Sequence, residues 1–280
     1  MNDKPLLKDK VALITGAAGA IGYAVAQALL ENGCRVAVSD LPARLSAKPR
    51  GQRLDDITAD LKKHAPKRVI GVELDVTEKG SVASGFQSVI DTWGKINIVV
   101  INAGIALVST LIEMDIEAFR RLEKVNVEGT LLTLAEAGRR FIKQATGGDI
   151  IIMSTKNVPS PSAGFGAYSA TKAACHQLGR IASLEFAQYD VRVNMVAPDA
   201  VFSQGKYKSG LWETVGADRM KVRGMGEKQL REYYRDRNLL KTSITGRDVA
   251  NAVLFFATRQ TPTTGATIPV DGGLPDAIPR

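Results

Sequence analysis

Apolar residues are distributed along this chain in two alternating textures. Short runs are hydrophobic on both parities, as in residues 11–15 (Val-Ala-Leu-Ile-Thr), which is the pattern of a strand buried on both faces. Longer stretches carry apolar residues three and four apart, the pattern of a helix with one buried face. In chain order the strands are expected at 11–15, 35–39, 68–74, 96–101, 149–153, 191–196 and 266–270. Helices are expected at 21–31, 79–93, 116–143 (one long helix or two abutting ones), 166–188 and 246–259. Seven strands alternating with helices predict an α/β fold, a doubly wound parallel seven-stranded sheet of Rossmann type, because parallel neighbours need crossovers and helices must cover both faces. No repeat, low-complexity tract or linker divides it, so residues 1–280 read as a single domain. Two stretches break the rhythm: a Lys-, Arg- and Pro-bearing loop at 42–56, and the long segment 203–245 before the last helix.

Composition changes this picture little. The chain is 45% hydrophobic and 24% charged, as expected of an ordinary globular protein. No apolar run approaches the ~18–20 residues that cross a membrane, and the polar first ten residues lack a signal-peptide core. Cys34 and Cys175 are far apart and lack metal-ligand spacing, so they read as small buried hydrophobes in a reducing compartment, the cytoplasm. The net charge of +8 is dispersed rather than clustered with aromatics, which argues against nucleic acid as a partner. No membrane association and no metal site are expected. His176 has no companion ligands and reads as helix packing or a subunit contact. Trp93, Trp212 and the Phe255-Phe256 pair read as core, lid or interface residues.

Chemistry first shows at Thr15-Gly16-Ala17-Ala18-Gly19-Ala20-Ile21-Gly22, between the first strand and first helix. Glycines at such a turn let backbone approach a pyrophosphate, and the helix N-terminus offers free N–H groups and partial positive charge. Asp40 closes the second strand at the distance expected of a carboxylate that accepts hydrogen bonds from ribose hydroxyls. It would repel a 2′-phosphate, and the next residue is Leu41 rather than arginine. NAD is therefore favoured over NADP, with Arg44 the one residue nearby that could favour the phosphate.

At this point the chain resembles the short-chain dehydrogenase/reductase family, over nearly its whole length. The Thr15-Gly16, Gly19 and Gly22 turn is similar to the family's cofactor turn, Asp75-Val76 to its adenine-contacting pair, and Asn102-Ala103-Gly104 to its fourth-strand motif. Asn126 matches its helix asparagine, Tyr168-Ser169-Ala170-Thr171-Lys172 its Tyr-x-x-x-Lys segment, and Asp271-Gly272-Gly273 its C-terminal signature. There are three departures. Ala20 stands where the family usually has glycine, displaced here to Gly19. Pro198-Asp199 replaces a Pro-Gly pair, so the loop bearing Val201 can follow a different path, while Ser203 keeps a hydroxyl at the position of the family's nicotinamide-binding threonine. The family's catalytic serine lies thirteen residues before the tyrosine, a count that falls on Thr155, with Ser154 as the fallback. Adjacent strand residues face opposite ways, so only one of the two can reach substrate.

The resemblance implies roles. Tyr168 is the acid/base, exchanging a proton with the alcohol or carbonyl oxygen, and Thr155 positions and polarises that oxygen. Lys172, four residues on and on the same helix face, would lower the phenol's pKa together with the positive nicotinamide ring and bind the nicotinamide ribose. Asn126 would hold a proton-relay water. A homotetramer or homodimer built on the long helices is implied as well.

The family does not specify the substrate. The loop from Thr155 through Lys156 and Asn157 to Tyr168 resembles that of dehydrogenase domains fused to sugar-phosphate aldolases of deoxysugar breakdown, and Arg231-Glu232-Tyr233-Tyr234-Arg235 resembles hexitol-phosphate dehydrogenases. Residues 203–241 hold ten Lys/Arg against five Asp/Glu, and in this fold they would form a lid over the carboxyl ends of the strands. A basic lid beside Lys156 and Asn157 suits a sugar, polyol or small hydroxylated, even anionic, molecule; the alternative is a solvated helical face. The expectation is thus an NAD-dependent oxidoreductase of a small-molecule alcohol/carbonyl pair. The rival is a dinucleotide-binding sensor or scaffold without turnover, for which the threonine at the serine position and Asp199 are the only support.

Overall fold

The alternation of parity-filled strands with amphipathic helices resolves into one sheet in the computed structural model, which describes residues 6–48 and 52–275. The ends of the chain (1–5 and 276–280) and residues 49–51 of the loop after the second strand lie outside the described residues. The strands β1 (Val11–Ile14), β2 (Arg35–Asp40), β3 (Val69–Glu73), β4 (Ile98–Ile101), β5 (Gly148–Met153) and β6 (Val191–Pro198) are joined by a last strand, β9 (Thr267–Val270). All pair in parallel in the order β3-β2-β1-β4-β5-β6-β9. The order reverses after β1, which opens a crevice at the carboxyl ends of β1 and β4, where open α/β sheets bind ligands.

Strand parity decides which core each side chain joins. Ala12, Ile14, Val36, Val38, Val100, Ile151 and Met153 face helices α1 (Ala20–Glu31), α2 (Leu54–His64) and α9 (Gly246–Ala257). Val11, Leu13, Ala37, Val99, Ile150, Ile152 and Met195 face α3 (Lys79–Trp93), α5 (Gly129–Gln144) and α6 (Gly166–Phe186). Both cores are mainly aliphatic, with Tyr23, Tyr207 and Phe256 in the first and Phe86 and Phe141 in the second, and the central strands feed both, which is why those strands are apolar on both faces. No helix among the described residues is long and apolar enough to cross a membrane.

Three elements depart from the periodicity reading. Helix α2 begins at Leu54, inside the stretch expected to be loop, and buries Leu54, Ile57, Thr58 and Leu61 at helical spacing. Its strongly charged exposed face hides that stripe in the sequence. The helix expected at 116–143 is two α-helices, α4 (Ile116–Glu123) and α5, joined by a π-helical turn at Lys124–Glu128. There the N–H of Gly129 reaches the carbonyl of Lys124, five residues back. The segment 203–245 is not featureless. It forms an antiparallel hairpin, β7 (Ser203–Gln204) and β8 (Tyr207–Lys208), followed by α7 (Gly210–Arg223) and α8 (Glu227–Asp236).

The edge of the sheet opposite the crevice is held by charge. Asp149, buried at the start of β5, accepts from Arg192 of β6 (2.6 and 2.8 Å) and from Arg259 after α9 (2.8 Å). Arg259 continues to the carbonyl of Gly148 and the carboxylate of Asp190. Replacing Asp149 by asparagine leaves two guanidinium groups without their shared countercharge, and removing one partner of a buried pair costs about 3 kcal/mol. The expected outcome for Asp149→Asn is a lowered Tm and urea midpoint with the far-UV spectrum retained; an unchanged midpoint would show that the cluster contributes nothing net.

Candidate active site

The turn after β1 is shaped by a clasp from β4. The side-chain amide of Asn102 donates to the carbonyls of Thr15 (3.0 Å) and Gly16 (2.8 Å), and the N–H groups of Asn102 and Ala103 both donate to Thr15 Oγ1 (3.1 and 3.2 Å). Gly16 has φ +61°, and a Cβ on it would stand 2.6 Å from the Cα of Ala103, so only glycine lets the turn lie this close to β4. Gly22 is as tightly held, against the Cα of Ala17 at 2.6 Å. Gly19 differs. It is the N-cap of α1, makes no side-chain cap bond, and a Cβ there would meet nothing nearer than 4.0 Å. The concavity is therefore open at the amino end of α1, formed by Gly19, Ala20 and Ile21, where backbone N–H groups suit a pyrophosphate.

Asp40 lies beside this turn and is buried. Its Oδ2 accepts from the N–H of Ala18 (2.9 Å) and its Oδ1 from the N–H of Leu41 (2.9 Å), which aims the carboxylate across the crevice. Lys48 also reaches Asp40 Oδ2, at 2.8 Å. Periodicity could not reveal this pair, because Lys48 belongs to the irregular loop whose path is set by Arg53, which donates to the carbonyl of Lys48 (2.8 Å). At the end of β3, Asp75 Oδ1 accepts from the N–H and hydroxyl of Thr77, and Val76 packs so closely on Gly129 that a Cβ there would lie 2.8 Å from it. Turn, carboxylate, Asp75-Val76 and the Asn102–Gly104 segment thus all follow the carboxyl ends of β1 to β4, and the uncrowded backbone at Gly19 is where a dinucleotide's pyrophosphate would be held, with a ribose at Asp40.

Where the groove meets β5 lies a second group of side chains. Tyr168 and Lys172 occupy one face of α6, a turn apart, and both are buried. The hydroxyl of Thr155 lies beside the phenol of Tyr168 and acts to lower its proton affinity. Ser154 points the other way, to His176 Nδ1 at 2.9 Å. The two candidate hydroxyls therefore have different partners, and it is Thr155 that meets the tyrosine. Burial pushes the Tyr168 phenol well above its ordinary value, and the neighbouring Thr155 hydroxyl offsets this only in part. Burial holds the Lys172 ammonium below its usual range. Lys172 Nζ donates to the carbonyl of Met153 (2.9 Å), the last residue of β5. In this arrangement burial outweighs the lowering of the phenol's pKa expected from the neighbouring ammonium. His176 is likewise held below its ordinary value, by burial and by Arg180.

Asn126 sits in the π turn with its amide fully engaged. Its Oδ1 accepts from the N–H of Ile105 (2.9 Å), and its Nδ2 donates to the carbonyl of Ile105 and to Thr171 Oγ1 (3.0 Å each). Its backbone carbonyl accepts from the thiol of Cys175 (3.0 Å), a role for that cysteine beyond filling space. Gly104 is the contact point of all these parts: a Cβ on it would lie 3.2 Å from Asn126 Oδ1 and 3.3 Å from Lys172 Nζ.

The loop between Thr155 and α6 brings Lys156 and Asn157 alongside, both buried. Lys156 Nζ donates to the carbonyl of Ser160 (3.2 Å) and the hydroxyl of Ser162 (3.0 Å). Opposite, Pro198 ends β6 and accepts from the N–H of Lys156 (3.1 Å), and Val201 is buried in the α1 core. Asp199, at the family's glycine position, forms a buried ion pair with Arg237 at the end of α8, whose guanidinium also stacks 4.1 Å from the ring of Tyr234. Sequence reading singled out Asp199 as a departure but had no means to find its partner 38 residues away. Ser203 opens the β7–β8 hairpin, which is pinned outward: Tyr207 and Tyr23 both donate to Asp60 Oδ2 (3.1 and 2.7 Å). Helix α7 then lies over the catalytic group, with Val215 in one apolar cluster with Ala106, Phe165 and Tyr168.

The family model described as Enoyl-(Acyl carrier protein) reductase matches residues 16–275. The uncharacterized oxidoreductase YuxG of Bacillus subtilis is 34% identical over 97% of this chain, which spans only 38% of that protein's length. The sorbitol dehydrogenase of Cereibacter sphaeroides is 34% identical over 70% of this chain and 72% of its own. The L-2,3-butanediol dehydrogenase of Corynebacterium glutamicum is 32% identical over 95% of this chain and 98% of its own. Among solved structures, a short-chain type dehydrogenase/reductase from Mycobacterium marinum superimposes with a TM-score of 0.77 at 26% identity, covering 96% of each chain. A family model spanning nearly the whole chain, and relatives matched almost end to end, make this chain a member of the short-chain dehydrogenase/reductase family, oxidoreductases of alcohols and carbonyls.

Proposed function

We infer that the chain is an NAD-dependent oxidoreductase that interconverts a secondary alcohol and a carbonyl on a sugar, polyol or related small hydroxylated molecule. The observation that carries this reading is the Thr155 hydroxyl set beside the Tyr168 phenol, with Lys172 one helical turn away. Members of this family bind a nicotinamide dinucleotide, which when bound supplies the hydride acceptor or donor. The protein's task is the proton and the geometry. Tyr168 takes the proton from the alcohol oxygen, or returns it to the carbonyl oxygen. Thr155 donates to the same oxygen and fixes its distance from the phenol. Lys172 lies where it can leave the carbonyl of Met153 for a ribose hydroxyl, bringing positive charge toward the phenol and favouring phenolate. Asn126, held by Ile105 and Thr171, keeps the π turn's carbonyl facing α6, in the place of a proton relay.

Asp40, bonded through Ala18 and Leu41, would accept from the adenosine ribose, which supports NAD. Lys48 on the same carboxylate is what would admit NADP as a weaker second cofactor. Polyol chemistry is supported by the sorbitol and butanediol dehydrogenases among the relatives and by the polar pair Lys156 and Asn157 next to Thr155. Residues 203–245 serve as the substrate lid. Exposed Leu131, Ile181 and Leu184 on the α5 and α6 faces suit self-association into a homodimer or homotetramer, and the two free, buried thiols suit the cytoplasm.

Four outcomes follow. Tyr168→Phe should reduce turnover of a polyol by about 10²–10⁴-fold, as loss of a general acid/base does, while NADH affinity by fluorescence titration stays nearly intact; retained turnover would remove Tyr168 from the mechanism. In the same assay Thr155→Ala should cost far more than Ser154→Ala. Because burial holds the phenol above its ordinary value, alcohol oxidation should climb with pH through the alkaline range and carbonyl reduction should fall; a pH-independent kcat/KM in both directions would contradict an essential phenol. Finally, Lys48→Met should weaken NADPH binding relative to NADH, measured as a ratio of Kd values, and an unchanged ratio would show that Lys48 does not face the 2′-position.

A further inference from the structure

Arg219 of α7 is only 2% exposed, yet it takes part in none of the ion pairs among the described residues. Its partners are few. One terminal nitrogen donates to the carbonyl of Ala163 at 3.4 Å, the guanidinium carbon lies 4.8 Å from the ring of Phe165, and Nε is buried with no partner. A guanidinium stays charged at any pH the protein meets, and a charge removed from water without a countercharge is costly. Arg192 and Arg237, which are less deeply set, each face a carboxylate. This fold therefore has the means to pair a buried arginine and leaves Arg219 without one.

Its position gives that a meaning. Val215, one turn before Arg219 on α7, shares one apolar cluster with Phe165 and Tyr168, and the Phe165 ring lies 4.8 Å from the guanidinium and 5.9 Å from the ring of Tyr168. The loop that Arg219 touches begins at Thr155 and also carries the buried ammonium of Lys156, which adds positive charge to the same wall. Beside it Asn157 Oδ1 is buried without a donor. The site thus offers, near the reacting hydroxyls, an uncompensated guanidinium and a vacant acceptor.

We propose that Arg219 is an anion-binding, specificity-determining residue: the substrate carries a carboxylate or phosphate away from its reacting carbon, the oxyanion taking the forked N–H groups of Arg219 and a substrate hydroxyl donating to Asn157 Oδ1. The lid closes this charge pair away from water, where it is strongest. This rests on the alcohol/carbonyl reading above, which by itself leaves the substrate's charge open.

The test compares matched neutral and anionic substrates, sorbitol with sorbitol 6-phosphate and 2,3-butanediol with 3-hydroxybutyrate. The full-length enzyme should favour the anion of at least one pair by tenfold or more in kcat/KM, and which pair responds identifies phosphate or carboxylate. Arg219→Gln should reduce that ratio at least tenfold, mostly through KM, and Arg219→Lys should retain part of it. Independently of turnover, inorganic phosphate should raise the Tm of the wild-type protein and not that of Arg219→Gln. Equal use of both members of each pair, or a ratio unmoved in folded Arg219→Gln or Arg219→Lys, overturns the proposal, as does phosphate stabilising wild type and variant alike or neither. If none of the four compounds is turned over but phosphate stabilises only the wild type, the alcohol reading fails and the anion site stands.

Discussion

One buried ammonium organises the centre of this molecule. Lys172 is enclosed by protein, and its bond to the carbonyl of Met153 ties α6 to the end of β5. The bond lies on the face of α6 that also carries Tyr168, one turn earlier. Just past β5 the two hydroxyls part, Thr155 beside the phenol and Ser154 bonded to His176. Gly104 must lack a side chain for the ammonium and Asn126 to approach β4 as they do. Strand ends, the π turn and the catalytic helix thus share one point of closest approach. The cost of burying the ammonium is met only if all of them are in place.

The parts of the structure legible in the sequence are those written in local periodicity. The central strands declared themselves because both their faces are buried, and strand parity then sorts their side chains between the two cores. The glycine turn, Asp40 and the Tyr168–Lys172 pair were legible because their roles depend on fixed short spacings. What was hidden depends on encounters between distant irregular segments. Lys48 reaches Asp40 from a loop, Arg237 reaches Asp199 across the lid, and Arg219 comes to Phe165 from another helix. No periodicity encodes such meetings. The choice between Ser154 and Thr155 needed the neighbours themselves: counting favoured one, but only the partners, His176 and Tyr168, show how the two hydroxyls are divided.

The segment 203–245 joins the body through two different chemistries. At its base the hairpin is pinned by Asp60, which draws in Tyr23, Tyr207 and Lys206 and holds its own proton affinity well below the ordinary carboxylate range, chiefly through the bond from Tyr23. At its far end Arg237 clamps Asp199 under a roof of tyrosine rings. Between these anchors α7 covers the reacting groups with apolar side chains and one arginine. Firm ends and an apolar middle suit a cover that excludes water from the phenol while remaining tied to the fold.

The π turn at Lys124–Glu128 holds one residue more than an α-helix needs at that point. Deleting a residue there would restore ordinary hydrogen bonding, so the local structure alone offers no reason to keep it. Yet each residue of an α-helix turns by about 100°. A deletion would therefore swing either α4 or α5 by that angle, carrying Leu134, Ala137 and Phe141 off the core or Asn126 off Ile105. The irregularity is locked in from both sides. Substitutions can accumulate around it over evolutionary time, but a change in chain length there has no small intermediate through which both the core and the site survive.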